Sequence, residues 1–227
     1  MKPNIVLVHG AWADGSMWSE VIRKLQAEDY YVTAVQNPLT SLADDVATTR
    51  RTIEAQNGPT VLVGHSYGGM VITNAAVQND QVAALVYITA MAPDLGESPR
   101  FLLNSFGSTA GDQAPDKNGF LILPRDSFAA GFVPGYDPAA AAVFAATQKP
   151  TAVQCLTDKS GEPAWKSTPV WYQIAEKDTL IPPAGQKMMA ERMNATISSV
   201  DAPHGSLIMK PAEVTEVIIE AANSVSG

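Results

Sequence analysis

The 227-residue sequence has a single cysteine, Cys155, and only three histidines. A single cysteine excludes an internal disulfide and the paired-cysteine motifs of metal and redox sites. Long apolar runs are also missing, since none reaches the roughly 18 residues that a membrane-spanning helix needs. The sequence therefore predicts neither a disulfide-stabilised protein nor one that has the membrane as a partner.

Positive charge is scarce as well. There are 15 Lys and Arg residues against 23 Asp and Glu residues, which gives a net charge of −8. An acidic surface repels phosphate backbones, so nucleic acid is not an expected partner. The glycine-rich phosphate-binding motifs and the zinc-protease and acidic metal-loop motifs are all absent, and we expect neither a cofactor nor a metal. The expected partner is a small molecule, bound by a monomer or a homodimer.

The amino terminus offers no room for a signal peptide, because Met1, Lys2 and Pro3 lead directly into a strand-like apolar run. We therefore expect a cytoplasmic protein, or an exported one if the sequence is that of a matured form. The remaining composition, with 46% hydrophobic and 17% charged residues, is ordinary for one globular domain of this length.

Both ends of the chain alternate β-rich runs with helical runs. Apolar or β-branched runs predict strands at residues 4–8, 31–35, 60–63, 82–88, 170–174 and 196–200. Helical spacing and helix-start signals predict helices at 17–27, 41–56, 68–76, 183–194 and 211–222. Repeated β–α units with right-handed crossovers indicate an α/β fold with a doubly wound, mostly parallel sheet of six strands.

The alternation stops between residues 94 and 165, a stretch punctuated by glycine and proline. We therefore divide the chain into a core, residues 1–93 and 166–227, and an inserted subdomain, residues 94–165. All six phenylalanines fall inside the insertion, at positions 101, 106, 120, 128, 132 and 144. They form either the core of a small subdomain or the inner face of a lid over an apolar pocket, and both can hold at once. The candidate substrate contacts are Trp12, Phe101, Phe106, Phe128 and Phe132.

The segment GHSYGG, residues 64–69, lies where a predicted strand passes into a predicted helix. A G-x-S-x-G sequence in that setting is typical of a nucleophile elbow, a sharp turn that presents a reactive serine. Side chains two residues before and after the serine would clash in this turn, and Gly64 and Gly68 remove them. Ser66 is therefore the candidate nucleophile. The alternative is a packing turn whose serine has no chemical role.

A serine nucleophile needs a base, and histidine is the usual one. His65 neighbours Ser66, and side chains on either side of a sharp turn generally point apart. His9 ends the first strand, where its neighbours suggest a different role. The remaining candidate is His204, in a loop between the last strand and the last helix, although a lone loop histidine is often exposed and inert.

The acid that orients the histidine should follow a strand between the serine and the histidine in the chain. Asp178 opens such a loop and is our candidate. Glu176 comes sooner after the strand and is an alternative, in which case Asp178 would merely start the turn. Asp201 is a third option, but it is only three residues from His204 and would have to fold back locally.

The segment HGAW, residues 9–12, follows the first strand, as does the loop that donates the second N–H of an oxyanion hole. Gly10 lets the backbone approach closely, so the N–H groups of Ala11 and Tyr67 are the candidate oxyanion donors. The alternative is a glycine turn in which Trp12 and Trp18 simply pack against the helix that follows.

Taken with the Asp178 loop and His204, the HGAW and GHSYGG segments resemble the α/β-hydrolase family along nearly the whole chain. The nearest likeness is to small serine esterases similar to plant methyl-ester hydrolases and hydroxynitrile lyases. The resemblance implies a Ser-His-Asp esterase with a lid inserted after the sixth family strand, which matches residues 94–165. The chain begins at the third family strand, so the resemblance implies a minimal sheet.

Two positions depart from the lyases in this family. Those relatives carry a hydroxyl residue beside the first-strand histidine and a lysine after the catalytic histidine, whereas this sequence has Gly10 and Gly205. We therefore expect a serine hydrolase that cleaves carboxylic esters of small apolar or aromatic substrates through an acyl-enzyme. The alternatives are lyase-like C–C cleavage, and a triad-bearing binding protein with slow turnover, because a fold does not settle function.

Overall fold

The computed structural model describes residues 2–226 and has a six-stranded sheet at its centre. The amino-terminal part of the chain contributes four strands: β1 (Asn4–Val8), β2 (Val32–Ala34), β3 (Thr60–Ser66) and β4 (Val82–Ala90). A 3₁₀ turn (Gly15–Trp18) and three helices connect these strands: α1 (Ser19–Ala27), α2 (Leu42–Glu54) and α3 (Tyr67–Ala75). Helix α2 begins after Ser41, whose side chain accepts the N–H of Asp44 and so satisfies a donor that has no partner inside the helix.

Residues 91–169, the connecting segment, link β4 to the next strand of the sheet. They contain helices α4 (Pro99–Ser105), α5 (Arg125–Phe132), α6 (Pro138–Thr147) and α7 (Val153–Thr157). Two short strands, β5 (Phe120–Leu121) and β6 (Thr151–Ala152), pair antiparallel in a sheet of their own. A 3₁₀ turn (Ala164–Lys166) leads back to the central sheet.

The carboxyl-terminal part of the chain completes the sheet with β7 (Val170–Ala175) and β8 (Thr196–Val200). Its helices are α8 (Pro183–Arg192), the short α9 (Ser206–Met209) and α10 (Pro211–Ser224). None of the helices formed by residues 2–226 combines the length and apolarity needed to cross a membrane.

The strand order is β2-β1-β3-β4-β7-β8, and every neighbouring pair is parallel. Helices α1 and α10 pack together on one side, and α2 packs on α3. The predicted six-stranded α/β sheet is therefore confirmed. Because all six strands are parallel, the segments that follow them meet at one edge of the sheet, where open α/β sheets bind their ligands.

The structure differs from the predicted elements mainly at their ends. Strand β3 runs on to Ser66, because the sheet continues through the start of the turn, and β4 continues to Ala90. The predicted helix at 183–194 ends at Arg192, and Asn194 takes a positive φ of 51° that a helix does not allow. The connecting segment, in which no clean alternation of strands and helices was predicted, contains four short helices.

We predict that Gly68→Ala destabilises the fold. A Cβ atom at position 68 would lie 2.4 Å from the backbone oxygen of Val8, because the backbones of α3 and β1 are in direct contact there. Backbone oxygens in a central strand cannot move aside as a side chain would. We expect a loss of about 2–3 kcal/mol in the free energy of unfolding, measured by urea denaturation.

Gly161→Ala is the matched control. Its Cβ would have only one neighbour, the Asn74 side-chain oxygen at 3.5 Å, so this variant should unfold like the parent protein. Equal stability of both variants would contradict the close crossing of α3 over β1.

Candidate active site

Ser66 lies at the junction of β3 and α3 in a strained backbone conformation, with φ of 53° and ψ of −125°. The turn is tight because the flanking glycines have no side chains. A Cβ atom on Gly64 would lie 2.6 Å from the backbone oxygen of Gly68. The turn therefore holds the Ser66 hydroxyl at the carboxyl edge of the sheet, with 9% of the residue exposed.

His204 lies between β8 and α9 and is almost completely buried, with 1% exposed. Its Nε2 atom is 2.9 Å from Oγ of Ser66, and its Nδ1 atom is 2.8 Å from Oδ2 of Asp178. A neutral imidazole whose Nδ1–H donates to the carboxylate has its Nε2 free to accept the hydroxyl proton. The structure thus brings three of the predicted residues into one hydrogen-bonded chain.

Asp178, which follows β7, is held in place by its own loop. Its Oδ1 atom accepts the backbone N–H groups of Leu180 at 2.7 Å and Ile181 at 3.0 Å. Its Oδ2 atom accepts from the side chain of Gln186 at 3.0 Å as well as from His204. These donors stabilise the charged carboxylate in a buried position, so it can fix the orientation of the imidazole.

The two other acids that the sequence left open lie elsewhere. Glu176 accepts a hydrogen bond from the Ser199 hydroxyl at 2.7 Å and is exposed. Asp201 forms a surface ion pair with Lys177 at 2.7 Å. Asp178 is therefore the one of these three acids that the structure places against His204.

Gln186 was not predicted as a site residue. It is fully buried on α8, where its amide nitrogen donates to Asp178 at 3.0 Å and to the Ile181 carbonyl at 2.7 Å, while its oxygen accepts the N–H of Ala175 at 3.0 Å. The amide thus has a partner for each polar atom and ties the acid loop to β7. The sequence signal that could have identified Gln186 is a polar residue on the apolar face of a predicted helix.

The HGAW loop lies directly beside Ser66. A Cβ atom on Gly10 would be 2.8 Å from Cβ and 3.3 Å from Oγ of Ser66, so this approach requires a glycine. Ala11 and Tyr67 line the same cavity as Ser66 and His204. Tyr67 is the first residue of α3, so its N–H has no acceptor within the helix and is available to an oxygen at the site.

Asp45 is a second buried acid that sequence reasoning missed. Its carboxylate accepts the Tyr67 hydroxyl at 2.8 Å and the N–H of Leu39 at 2.8 Å, and the Cys155 sulfur lies 3.7 Å away. Burial raises the pKa of this carboxyl above its ordinary value. Asp45 therefore joins helix α2, the nucleophile turn and helix α7. Asp44 and Asp45 both lie in the first turn of α2, where acidic residues are common, so its position in the sequence did not distinguish Asp45.

The other two histidines are buried beside the site. His9 donates from Nδ1 to the Gly10 carbonyl at 2.8 Å and accepts the N–H of Asn37 at Nε2, 3.0 Å away, so its neutral ring is fully partnered. His65 donates from Nε2 to the His204 carbonyl at 2.9 Å, and its ring centre is 4.9 Å from that of His204. His65 is thus tied to the backbone of the histidine that contacts Ser66.

Burial lowers the pKa of both rings because it disfavours the charged imidazolium. The pKa of His9 falls to about 4, although the Gly10 hydrogen bond opposes the shift. The pKa of His65 falls to about 3, and the nearby His204 adds to the effect of burial. Both rings are therefore neutral at pH 7, which keeps positive charge away from the imidazole of His204.

Two of the five predicted substrate contacts lie at the site. Trp12 and Phe132 line the cavity that contains Ser66. The Phe132 ring stands edge-on to His204 with 4.9 Å between ring centres, and its carbonyl accepts the N–H of Gly205 at 2.7 Å. Phe128 stacks on Phe132 at 4.4 Å but does not line this cavity, so it supports the contact residue from behind.

Phe101 and Phe106, the other two predicted contacts, lie away from the cavity at Ser66. Phe101 is 58% exposed, because α4 turns Leu102 and Leu103 inward instead. Phe106 packs near Gly185 of α8, where a glycine Cβ would lie 2.5 Å from the ring. Neither ring lines the cavity at Ser66, whereas Leu103 does. The inward face of so short a helix could not be identified without knowing how it docks.

Among residues 2–226 no three His, Cys, Asp or Glu side chains are grouped as they would be to hold a metal ion. The groups that the structure brings together at Ser66 are a hydroxyl, an imidazole and a carboxylate in series. This series can activate the hydroxyl as a nucleophile towards an electrophilic carbon.

Comparison with known proteins finds relatives that match nearly the whole chain. A model of the alpha/beta hydrolase family matches residues 5–217. The chain is similar to Methylesterase 8 of Arabidopsis thaliana, with 27% identity over 251 residues that cover 100% of this chain and 92% of that protein. It is also similar to a pyrethroid hydrolase of Sphingobium wenxiniae, with 27% identity over 252 residues, 97% of this chain and 88% of that protein.

Among solved structures, tomato methylketone synthase I in complex with 2-tridecanone is similar over 100% of both chains, with a TM-score of 0.85 and 18% sequence identity. At this level of identity the likeness concerns the fold alone. The fold of the whole chain, including the connecting segment, therefore has a counterpart in a known protein.

We predict that Asp178→Asn lowers kcat by about 10³- to 10⁴-fold on an activated ester, because an amide cannot hold the imidazole with its Nε2 free. Glu176→Gln is the matched control. It removes a charge from the same loop, outside the hydrogen-bonded chain, and should leave kcat nearly unchanged. Steady-state kinetics on both variants checks this, and a large loss in Glu176→Gln alone would reassign the acid.

We also predict that stability falls with pH below about 6.5, the ordinary pKa of histidine. His9 and His65 have folded-state pKa values of about 4 and about 3, so between these values and 6.5 the unfolded chain binds more protons. Each ring then lowers the free energy of unfolding by up to about 1.4 kcal/mol per pH unit of acidification. Urea unfolding between pH 7 and pH 4 measures this slope.

His65→Gln, which retains a donor for the His204 carbonyl, should remove the contribution of one ring from the slope. The raised pKa of Asp45 acts in the opposite sense, but it is present in both proteins and cancels in the comparison. Identical slopes for the variant and the parent would show that His65 is not held neutral by the fold.

Proposed function

The chain belongs to the alpha/beta hydrolase family and is a carboxylic ester hydrolase; we propose that it acts through Ser66, His204 and Asp178 and forms an acyl-enzyme on Ser66. The observation that carries this proposal is the continuous hydrogen-bonded chain from Asp178 through His204 to Ser66, with distances of 2.8 and 2.9 Å.

In the acylation step, Oγ of Ser66 attacks the ester carbonyl while Nε2 of His204 takes the hydroxyl proton. The carbonyl oxygen becomes an oxyanion, which accepts the N–H groups of Ala11 and Tyr67. Each donor of this kind typically contributes about 3 kcal/mol of transition-state stabilisation. The bond to the leaving oxygen then breaks, and His204 passes its proton to the departing alcohol.

In the deacylation step, water attacks the acyl-enzyme and gives a proton to His204. The second tetrahedral intermediate collapses, the acid is released, and the proton returns to Ser66. Asp178 carries no proton in this cycle, since its role is to hold the ring and stabilise the imidazolium. The four donors around Asp178 support a carboxylate that stays charged throughout.

We further propose that residues 94–165 form a lid over the core made by residues 1–93 and 166–227. The contacts of Phe132 with His204 and Gly205 support this assignment, because they bring the connecting segment directly onto the site. The apolar lining of the cavity at Ser66 is consistent with small apolar or aromatic esters. Two of the similar proteins are, by name, a methylesterase and a pyrethroid hydrolase.

Lyase-like cleavage is not favoured by any contact at the site. The position after His204 is Gly205, and a Cβ atom there would lie 2.5 Å from the Phe132 carbonyl oxygen, so a lysine side chain has no room. The other alternative, a binding protein with slow turnover, differs from the proposal in rate and not in geometry, and kinetics decides between them.

A fluorophosphonate probe and short p-nitrophenyl esters test the proposal together. The parent protein should be labelled and should turn over the esters, whereas Ser66→Ala should lose both properties because it lacks the nucleophile. Ser16→Ala, which changes an exposed serine, is the control and should behave like the parent. Equal labelling of the parent and Ser66→Ala would contradict the nucleophile, and labelling with barely measurable turnover would indicate a binding protein.

A further inference from the structure

Ser66 and His204 open into a narrow space that we call the inner cavity, with a volume of about 30 Å³. This volume holds only about two water-sized groups. Apart from the two reactive side chains, the walls are apolar, since the Tyr67 hydroxyl is turned away to Asp45. The apolar lining of the inner cavity includes Met91, Pro99, Leu103 and Leu156.

A second space, the outer cavity, is about ten times larger, at about 310 Å³. Its lining is different in character, because hydroxyl and amide side chains alternate with apolar ones. The polar residues are Ser108, Thr109, Gln113, Ser127 and Thr179. Within the described residues 2–226, no Lys, Arg, Asp or Glu side chain lines either cavity.

The two cavities share one wall, formed by Trp12, Ala110, Phe132 and Leu180, which line both of them. An ester whose carbonyl carbon is at Oγ of Ser66 has its reacting bond at the inner cavity. The inner cavity is too small for both substituents of the ester, so one of them must extend past this wall into the outer cavity.

The shared wall is held in place by hydrogen bonds. Trp12 donates its backbone N–H to the Thr151 hydroxyl at 2.9 Å and its indole N–H to the Leu121 carbonyl at 3.2 Å. The carbonyl of Phe132 accepts from Gly205 at 2.7 Å, and that of Leu180 accepts from the Ser108 hydroxyl at 2.7 Å. A wall with these anchors resists enlargement and so limits what fits on the inner side.

From these features we infer a substrate class: an uncharged ester that is compact and apolar on one side of the carboxylate and larger and polar on the other. The inference rests on the proposed function and adds the size, polarity and charge of the substrate. The apolar inner cavity favours a short alkyl group. The Ser108 hydroxyl is already bonded to Leu180, and the other hydroxyl and amide groups of the outer cavity favour a neutral hydrogen-bonding group. A charged group would be desolvated there without a partner of opposite charge.

Two pairs of esters test the size limit, p-nitrophenyl acetate against octanoate, and methyl against octyl para-hydroxybenzoate. Each pair keeps one bulky substituent and changes the other from compact to long. The compact member should have the higher kcat/KM in both pairs, by at least about 10-fold, since a single methylene in a tight apolar pocket already changes specificity by that factor. Equal rates within both pairs would overturn the inference.

Leu103→Ala enlarges the inner cavity and should raise the relative kcat/KM for the long esters. Leu102→Ala is the matched control, because Leu102 is also buried on α4 but does not line the cavity. It should leave the preference for compact esters unchanged. The same shift in both variants would mean that the preference reflects the general packing of α4 and would overturn the assignment of the inner cavity.

Monomethyl succinate and methyl succinamate, assayed by release of methanol, test the charge. Each has a compact methyl group on one side, and on the other side they match in size and differ in a carboxylate against an amide. The neutral amide should be the better substrate. A preference for the carboxylate would contradict the inference that the substrate is uncharged. All proteins are labelled in parallel with the fluorophosphonate probe. Failure of labelling counts against the proposed function, whereas normal labelling with indifference to size or charge counts against the substrate class alone.

Discussion

The site depends on backbone segments that approach one another more closely than side chains allow. Gly10 lies against Ser66, Gly64 against the backbone of Gly68, and Gly68 against the carbonyl of Val8. These contacts join the loop after β1, the end of β3 and the start of α3 into one rigid corner. The surrounding backbone contacts hold Ser66 in its strained conformation. The segments that follow β7 and β8 reach the same edge because the sheet is parallel.

Sequence reasoning succeeded where local chemistry and chain topology agree. The six strands were predictable because β-rich runs alternate with helical signals, and the parallel order then located the residues that follow each strand. His204 could be singled out because the chain has only three histidines. Asp178 was separated from Glu176 only by chain position, and the structure adds a physical reason: two backbone N–H groups and Gln186 are arranged to receive its carboxylate.

The rest could not be predicted because it depends on how elements dock. Asp45 lies in the first turn of α2, where acidic residues are common, yet packing of α2 on α3 buries it against the Tyr67 hydroxyl. The clustered phenylalanines indicated an aromatic insertion, but their directions follow from how short helices lie on the core, so Phe132 contacts His204 while Phe101 faces solvent. The same docking places residues of the connecting segment along both cavities and gives the two cavities their different sizes.

The formation of an acyl-enzyme on Ser66 is tested most directly by mass spectrometry of the protein quenched with acid during turnover of p-nitrophenyl acetate. We expect one acetyl group per chain, located on the peptide that contains Ser66. Replacing Asp178 with Asn should slow deacylation. Where this replacement slows deacylation more than acylation, more acetyl-enzyme should accumulate than in the parent protein. An acetyl group on a different residue, or turnover during which no acetyl group is trapped on Ser66, would contradict the assignment of Ser66 as the nucleophile.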